Sequence, residues 1–152
     1  MVALKPLFSG RAVIMGVGSP LRKDDGFGPL VVSELKRLGF NKYPLLDAGT
    51  TPENYTGKII ALNPELLLIV DAADFGAKPG EAALFEPDQL LLKGFSTHDL
   101  SLKTFAAYLK EPLPQLRIVV LGVQPLAVDF GEGLSLPVKK TLDQVVGELL
   151  EV

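Results

Sequence analysis

Three short, continuous apolar runs constrain this chain more than any other feature. Ala12-Val13-Ile14-Met15-Gly16-Val17, Leu66-Leu67-Leu68-Ile69-Val70 and Ile118 to Val123 show no apolar/polar alternation. Each therefore reads as a strand buried on both faces, the kind found in mostly parallel sheets covered by helices. Between the runs the spacing turns helical. A helix is predicted from about Gly26 to Leu38, with Phe27, Val31, Leu35 and Leu38 on one face, Pro29 in its first turn and Gly39 as its stop. Leu102, Phe105, Ala106 and Leu109 follow the i, i+3, i+4, i+7 pattern, with Ser101 or Asp99 as cap. Leu142, Val145, Val146, Leu149 and Leu150 form a closing amphipathic helix entered through Pro137.

Weaker signals complete the pattern. Tyr43 to Asp47 reads as the second strand, followed by a helix start with Thr51 as cap and Pro52 at the first helical position. Glu81 to Phe85, introduced by Pro79-Gly80, reads as an edge strand. Strands alternating with helices signify βαβ units. The expected fold is α/β, a three-layer sandwich with a mostly parallel sheet of about five strands flanked by helices. No repeat or linker-like stretch divides the chain, so residues 1–152 read as a single domain.

Composition narrows the chemistry. The chain has no cysteine, which removes disulfides, thiolate metal sites and a cysteine nucleophile. It has one histidine, so a multi-histidine zinc site is impossible. A net charge of −3 gives no basic footprint for nucleic acid. The segment from Met1 to Gly10 lacks a signal-peptide core, and no apolar run reaches spanning length, so the reading is cytoplasmic, without membrane insertion.

In open parallel sheets, ligands bind beyond the carboxyl ends of the strands. Here those positions are acidic: Asp24 and Asp25 after the first strand, Asp47 after the second, Asp71 directly after the third, and Asp74 shortly beyond. The sole histidine, His98, lies in the polar stretch Ser96-Thr97-His98-Asp99 before a helix. Carboxylates and one imidazole on one edge suit a divalent first-row metal left incompletely coordinated. Each residue also has a plainer role open to it. Asp24 or Asp25 would serve as a helix cap, Asp71 and Asp74 as members of an Asx-type turn, and a lone loop histidine as a surface residue.

Familiar motifs fit poorly. Gly16-Val17-Gly18 follows a strand, but a dinucleotide fingerprint would place its third glycine at Leu21, and the acidic pair stands where pyrophosphate would approach. Asp74-Phe75-Gly76 lacks any accompanying kinase glycine loop, and no Gly-x-Ser-x-Gly or His-Glu-x-x-His is present.

The ordered segments Gly16 to Gly28, Asp47 to Asn54, Leu68 to Asp74, Pro79-Gly80-Glu81, Ser96 to Leu100 and Leu121-Gly122-Val123-Gln124-Pro125 resemble the nickel-iron hydrogenase maturation endopeptidases. Pro52-Glu53-Asn54 and the Gly-x-Gln-Pro segment look closest to the formate-hydrogenlyase-type branch. Ser19 stands where that family usually has asparagine, and Asp25 where some members have glutamate. The resemblance implies removal of a C-terminal extension from the hydrogenase large-subunit precursor after nickel insertion. It also implies Asp25, Asp71 and His98 as the metal-contacting and catalytic residues, with nickel brought by the substrate and not held permanently. Asp47 and Asp74 are expected to be supporting groups. A non-catalytic chaperone that checks the large subunit for nickel, and a nucleotide-binding α/β domain, are the competing readings.

Overall fold

The computed structural model describes residues 2–92 and 98–152; the side chains of residues 90–92 and 98–101 lie outside that description. Five strands, β1 (Ala12–Val17), β2 (Leu45–Gly49), β3 (Leu66–Ala72), β4 (Ala82–Phe85) and β5 (Arg117–Val123), form one sheet in the order β2-β1-β3-β5-β4. β1 runs parallel to β2 and β3, and β3 parallel to β5, while β4 joins β5 antiparallel at the edge. The helices are α1 (Phe27–Arg37), α2 (Thr56–Leu62), α3 (Pro87–Leu92), α4 (His98–Lys110) and α5 (Leu136–Leu150).

The unbroken apolar runs have the expected cause. Residues at 14, 68, 70, 119 and 121 pack with Phe27, Val31 and Leu35 of α1 and with Val138, Leu142, Val145 and Leu149 of α5. Their neighbours at 13, 15, 67, 69, 118 and 120 pack on the other face with Ile59 of α2 and with Leu102, Phe105, Ala106 and Leu109 of α4. A strand sandwiched in this way has no solvent face, and hence no polar alternation. The result is the three-layer α/β sandwich expected from the sequence.

Differences appear where local signals compete with packing. β2 occupies Leu45–Gly49, later than Tyr43 to Asp47, because Ile14 N–H donates to the Pro44 carbonyl and Leu45 pairs with Ile14. Asp47 therefore lies inside this edge strand, exposed between buried Leu46 and Ala48. β3 continues through Asp71 to Ala72 and does not end at Val70. Leu38 and Leu150, placed on apolar faces by periodicity, are 45% and 44% exposed, one just beyond α1 and the other at the end of α5. α4 begins at His98, so Asp99 and Ser101 fall within the helix and neither precedes it as a cap.

The α3 helix was not anticipated, since six residues carry too little periodicity to register. Its signal is in the start: Pro87 opens the helix, and the Gln89 side chain accepts a hydrogen bond from Glu86 N–H at 2.7 Å. That is one half of a capping box.

Leu68 and Ile69 are both fully buried, on opposite faces of the central strand. Truncating either to alanine is expected to cost about 2–5 kcal/mol. Urea unfolding of Leu68→Ala and Ile69→Ala, read at constant m-value, checks this.

Candidate active site

β1 ends at Val17, and the chain then makes a tight return into a 3-10 turn, Lys23–Gly26, that leads directly into α1. Two glycines permit the crowding. Gly18 has φ +134°, and a Cβ there would collide with the Asp25 carbonyl. A Cβ on Gly28 would collide with the carbonyl oxygens of Val17 and Val70, the residues near the ends of β1 and β3. Without side chains at these positions, the start of α1 and its preceding turn sit against the carboxyl ends of the two central strands.

That arrangement buries the acidic pair with distinct partners. Asp25 is 5% exposed, and its Oδ2 accepts a hydrogen bond from Ser19 N–H at 2.9 Å. Asp24 is fully buried. Its Oδ2 accepts from Leu126 N–H at 2.8 Å, Ala127 N–H at 3.2 Å and the Ser135 hydroxyl at 2.8 Å, while Oδ1 accepts from Ser135 N–H at 2.7 Å. Neither carboxylate caps α1, whose N-cap is Gly26 with no side-chain bond. Asp24 instead gathers the loop after β5 and the N-cap residue of α5.

The joined loops continue as a clasp. Lys23 N–H donates to the Gly131 carbonyl, Gly131 N–H to that of Leu21, and Arg22 Nε to that of Val128. Lys23 Nζ pairs with Asp129 at 3.0 Å, and that hydrogen bond holds the Asp129 carboxyl below the usual carboxylate range. Acidification through that lowered pKa removes the attraction. The clasp holds Leu21, Leu126 and Phe130 exposed to solvent beside the acidic turn.

Asp71 is 1% exposed and lies within β3, opposite Gly122 of β5. It is therefore a ladder residue, where the sequence suggested a loop position. Since Gly16 of β1 pairs with Val70 of β3, Asp71 and the turn carrying Asp25 belong to the same edge of the sheet. His98 is the first residue of α4, but its side chain lies outside the described residues. Among the described residues, no group of three acidic or histidine side chains gathers to hold a metal.

The other acids have structural partners. Asp47 Oδ1 accepts from Gly49 N–H, and its carbonyl accepts from the Tyr55 hydroxyl. Asp74 Oδ1 accepts from Gly76 N–H at 3.2 Å, as an Asx turn requires, and also from Gln124 Nε2 at 3.0 Å. Gln124, 8% exposed, was singled out only as part of a motif; a polar residue directly after a buried strand was the available signal.

Truncating Asp24 leaves three backbone N–H groups and a hydroxyl at a partly buried junction without their acceptor. Each such group costs about 1–3 kcal/mol, so Asp24→Ala should lose at least about 3 kcal/mol. Denaturant unfolding alongside wild type measures it.

Comparison with known proteins gives a consistent picture. The family model described as HycI hydrogenase maturation protease matches residues 29–152. A putative hydrogenase maturation protease of Methanocaldococcus jannaschii is 33% identical over 150 residues, covering 93% of this chain and 88% of that protein. The hydrogenase 3 maturation protease of Escherichia coli is 33% identical over 138 residues, covering 90% and 87%. The crystal structure of a nickel-iron hydrogenase maturation protease, HycI from Thermococcus kodakarensis, superposes with a TM-score of 0.85 at 38% identity, covering 96% of this chain and 95% of that one. The family model spans most of the chain, and relatives match it almost end to end: the chain belongs to the hydrogenase maturation protease family.

Proposed function

We propose that this protein is an endopeptidase that removes the C-terminal extension of a nickel-iron hydrogenase large-subunit precursor after nickel has been inserted. The observation that carries this reading is a pair of buried carboxylates, Asp25 and Asp71, on one edge of a parallel sheet in a chain of this protease family. Exposed Leu21, Leu126 and Phe130 beside that edge suit a polypeptide partner. No helix among the described residues is long and apolar enough to cross a membrane; the proposed site of action is the cytoplasm.

Asp25, Asp71 and His98 are proposed to meet nickel carried by the precursor. Carboxylate oxygens and an imidazole nitrogen are suitable donors for a divalent first-row ion. Asp25 and Asp71 are the two carboxylates proposed to face the ion, which is proposed to arrive already held by the substrate. The bound ion supplies either polarisation of the scissile carbonyl or activation of water. The protein's part is positional: Asp25 is fixed by Ser19 N–H, and Asp71 by the β3–β5 ladder, before substrate arrives.

Peptide contacts alone would bind loaded and unloaded precursors equally. Coordination adds a term present only for the loaded one, and each 1.4 kcal/mol is about a tenfold preference. Selection for mature cofactor follows without a resident metal.

Two outcomes are expected. Asp71→Asn and His98→Gln should abolish processing while shifting stability by no more than about 1 kcal/mol, far less than Leu68→Ala. Melting curves and a precursor-processing assay on the same preparations check both halves; variants that unfold as readily as Leu68→Ala would make these residues structural. Chelator-stripped protein should trim nickel-loaded precursor and leave nickel-free precursor intact by mass spectrometry. Equal trimming of the two would eliminate nickel selection and leave an ordinary peptidase.

A further inference from the structure

The loop that leaves β3 just past Asp71 is fastened at both ends by one residue, Gln124. Its side-chain Oε1 accepts hydrogen bonds from Phe75 N–H at 2.8 Å and Ala77 N–H at 3.2 Å, and its Nε2 donates to Asp74 Oδ1 at 3.0 Å. Its backbone holds the far end: Gln124 N–H donates to the Glu81 carbonyl, and Gly80 N–H donates to the Gln124 carbonyl. Asp74 Oδ1 accepts a further bond from Gly76 N–H, so both side chains turn successive amides of the loop inward.

We propose that Gln124 and Asp74 form a polar lock that holds segment 74–77 as a preformed rim for the peptide substrate, with Gln124 as a positioning residue. The inference rests on the endopeptidase reading and adds to it a determinant of substrate binding. Asp71 is secured independently, by its pairing with Gly122 and by the Ala73 N–H bond to the Val123 carbonyl. Loss of the lock therefore disturbs the rim and spares the carboxylate. A rim ordered in advance lowers the cost of binding.

The lock can be rebuilt with its charge and amide exchanged. In Gln124→Glu, two carboxylates face each other where a donor met an acceptor. In the double variant Asp74→Asn/Gln124→Glu, the new amide turned toward residue 124 donates to the new carboxylate, which still accepts from Phe75 and Ala77 N–H, while the bond from Gly76 N–H to the same position is given up.

Steady-state cleavage of nickel-loaded precursor, with folded fraction monitored by circular dichroism, provides the test. Gln124→Ala and Gln124→Glu should raise KM about tenfold with kcat within about threefold, the signature of lost binding and not of lost chemistry. Asp74→Asn/Gln124→Glu should bring KM back at least about threefold from that of Gln124→Glu. Unchanged KM in folded Gln124→Ala, or a double variant no better than Gln124→Glu, overturns the lock. Should wild type leave the precursor uncut, the peptidase reading falls. The dissociation constant of the loaded precursor, titrated by calorimetry, then judges the lock by the same order of variants, and any other order, or no binding at all, overturns it.

Discussion

The buried carboxylate of Asp24 joins parts of the chain separated by 102 to 111 residues, and the candidate site depends on that junction. By accepting from Leu126, Ala127 and Ser135, it ties the loop after β5 and the start of α5 to the turn that carries Asp25. Its energetic weight comes from burial: four donors that would otherwise lose water find one acceptor. Asp25, one residue on, is thereby carried to the same edge, where its side chain accepts a bond from Ser19 N–H.

The same economy recurs across the carboxyl edge. Asp24 anchors the loop after β5 from one side, while Gln124, at the end of that strand, anchors the loop after β3 from the other. Asp71 lies between these two anchored segments, in the central ladder. Connections at such an edge are free to vary in conformation unless side chains hold them. Here they are held by buried polar groups drawn from neighbouring strand ends, leaving Asp25 and Asp71 in place before any ligand arrives.

Much of the fold was legible because a doubly covered sheet imposes a crude pattern. Met15, Leu68 and Val120 have no solvent face, so continuous hydrophobicity marks their strands directly. The edge strand β2 was harder to place, because its intermediate and exposed positions leave the register to hydrogen bonds with β1. The misjudged exposure of Leu38 and Leu150 has a related cause. Periodicity predicts an angle around a helix axis, but burial also depends on where the neighbouring layer stops.

The candidate site divided along similar lines. Strand-end placement of Asp24, Asp25 and Asp71 follows from local sequence and the geometry of parallel sheets, which made all three candidates, while the choice of Asp25 came from the family resemblance. Their neighbours were not separable in this way: Asp24 and Asp25 are adjacent, equally acidic and equally suited to capping. Only tertiary structure distinguished them, by bringing the amides of residues 126, 127 and 135 to one carboxylate and that of Ser19 to the other. The sequence by itself determined the layered α/β architecture and the acidic carboxyl edge, because both arise from short-range hydrophobic patterning. Long-range packing decided which acid braces the fold and which polar residue fastens each loop, because a hydrogen-bond partner a hundred residues away leaves no local trace in the chain.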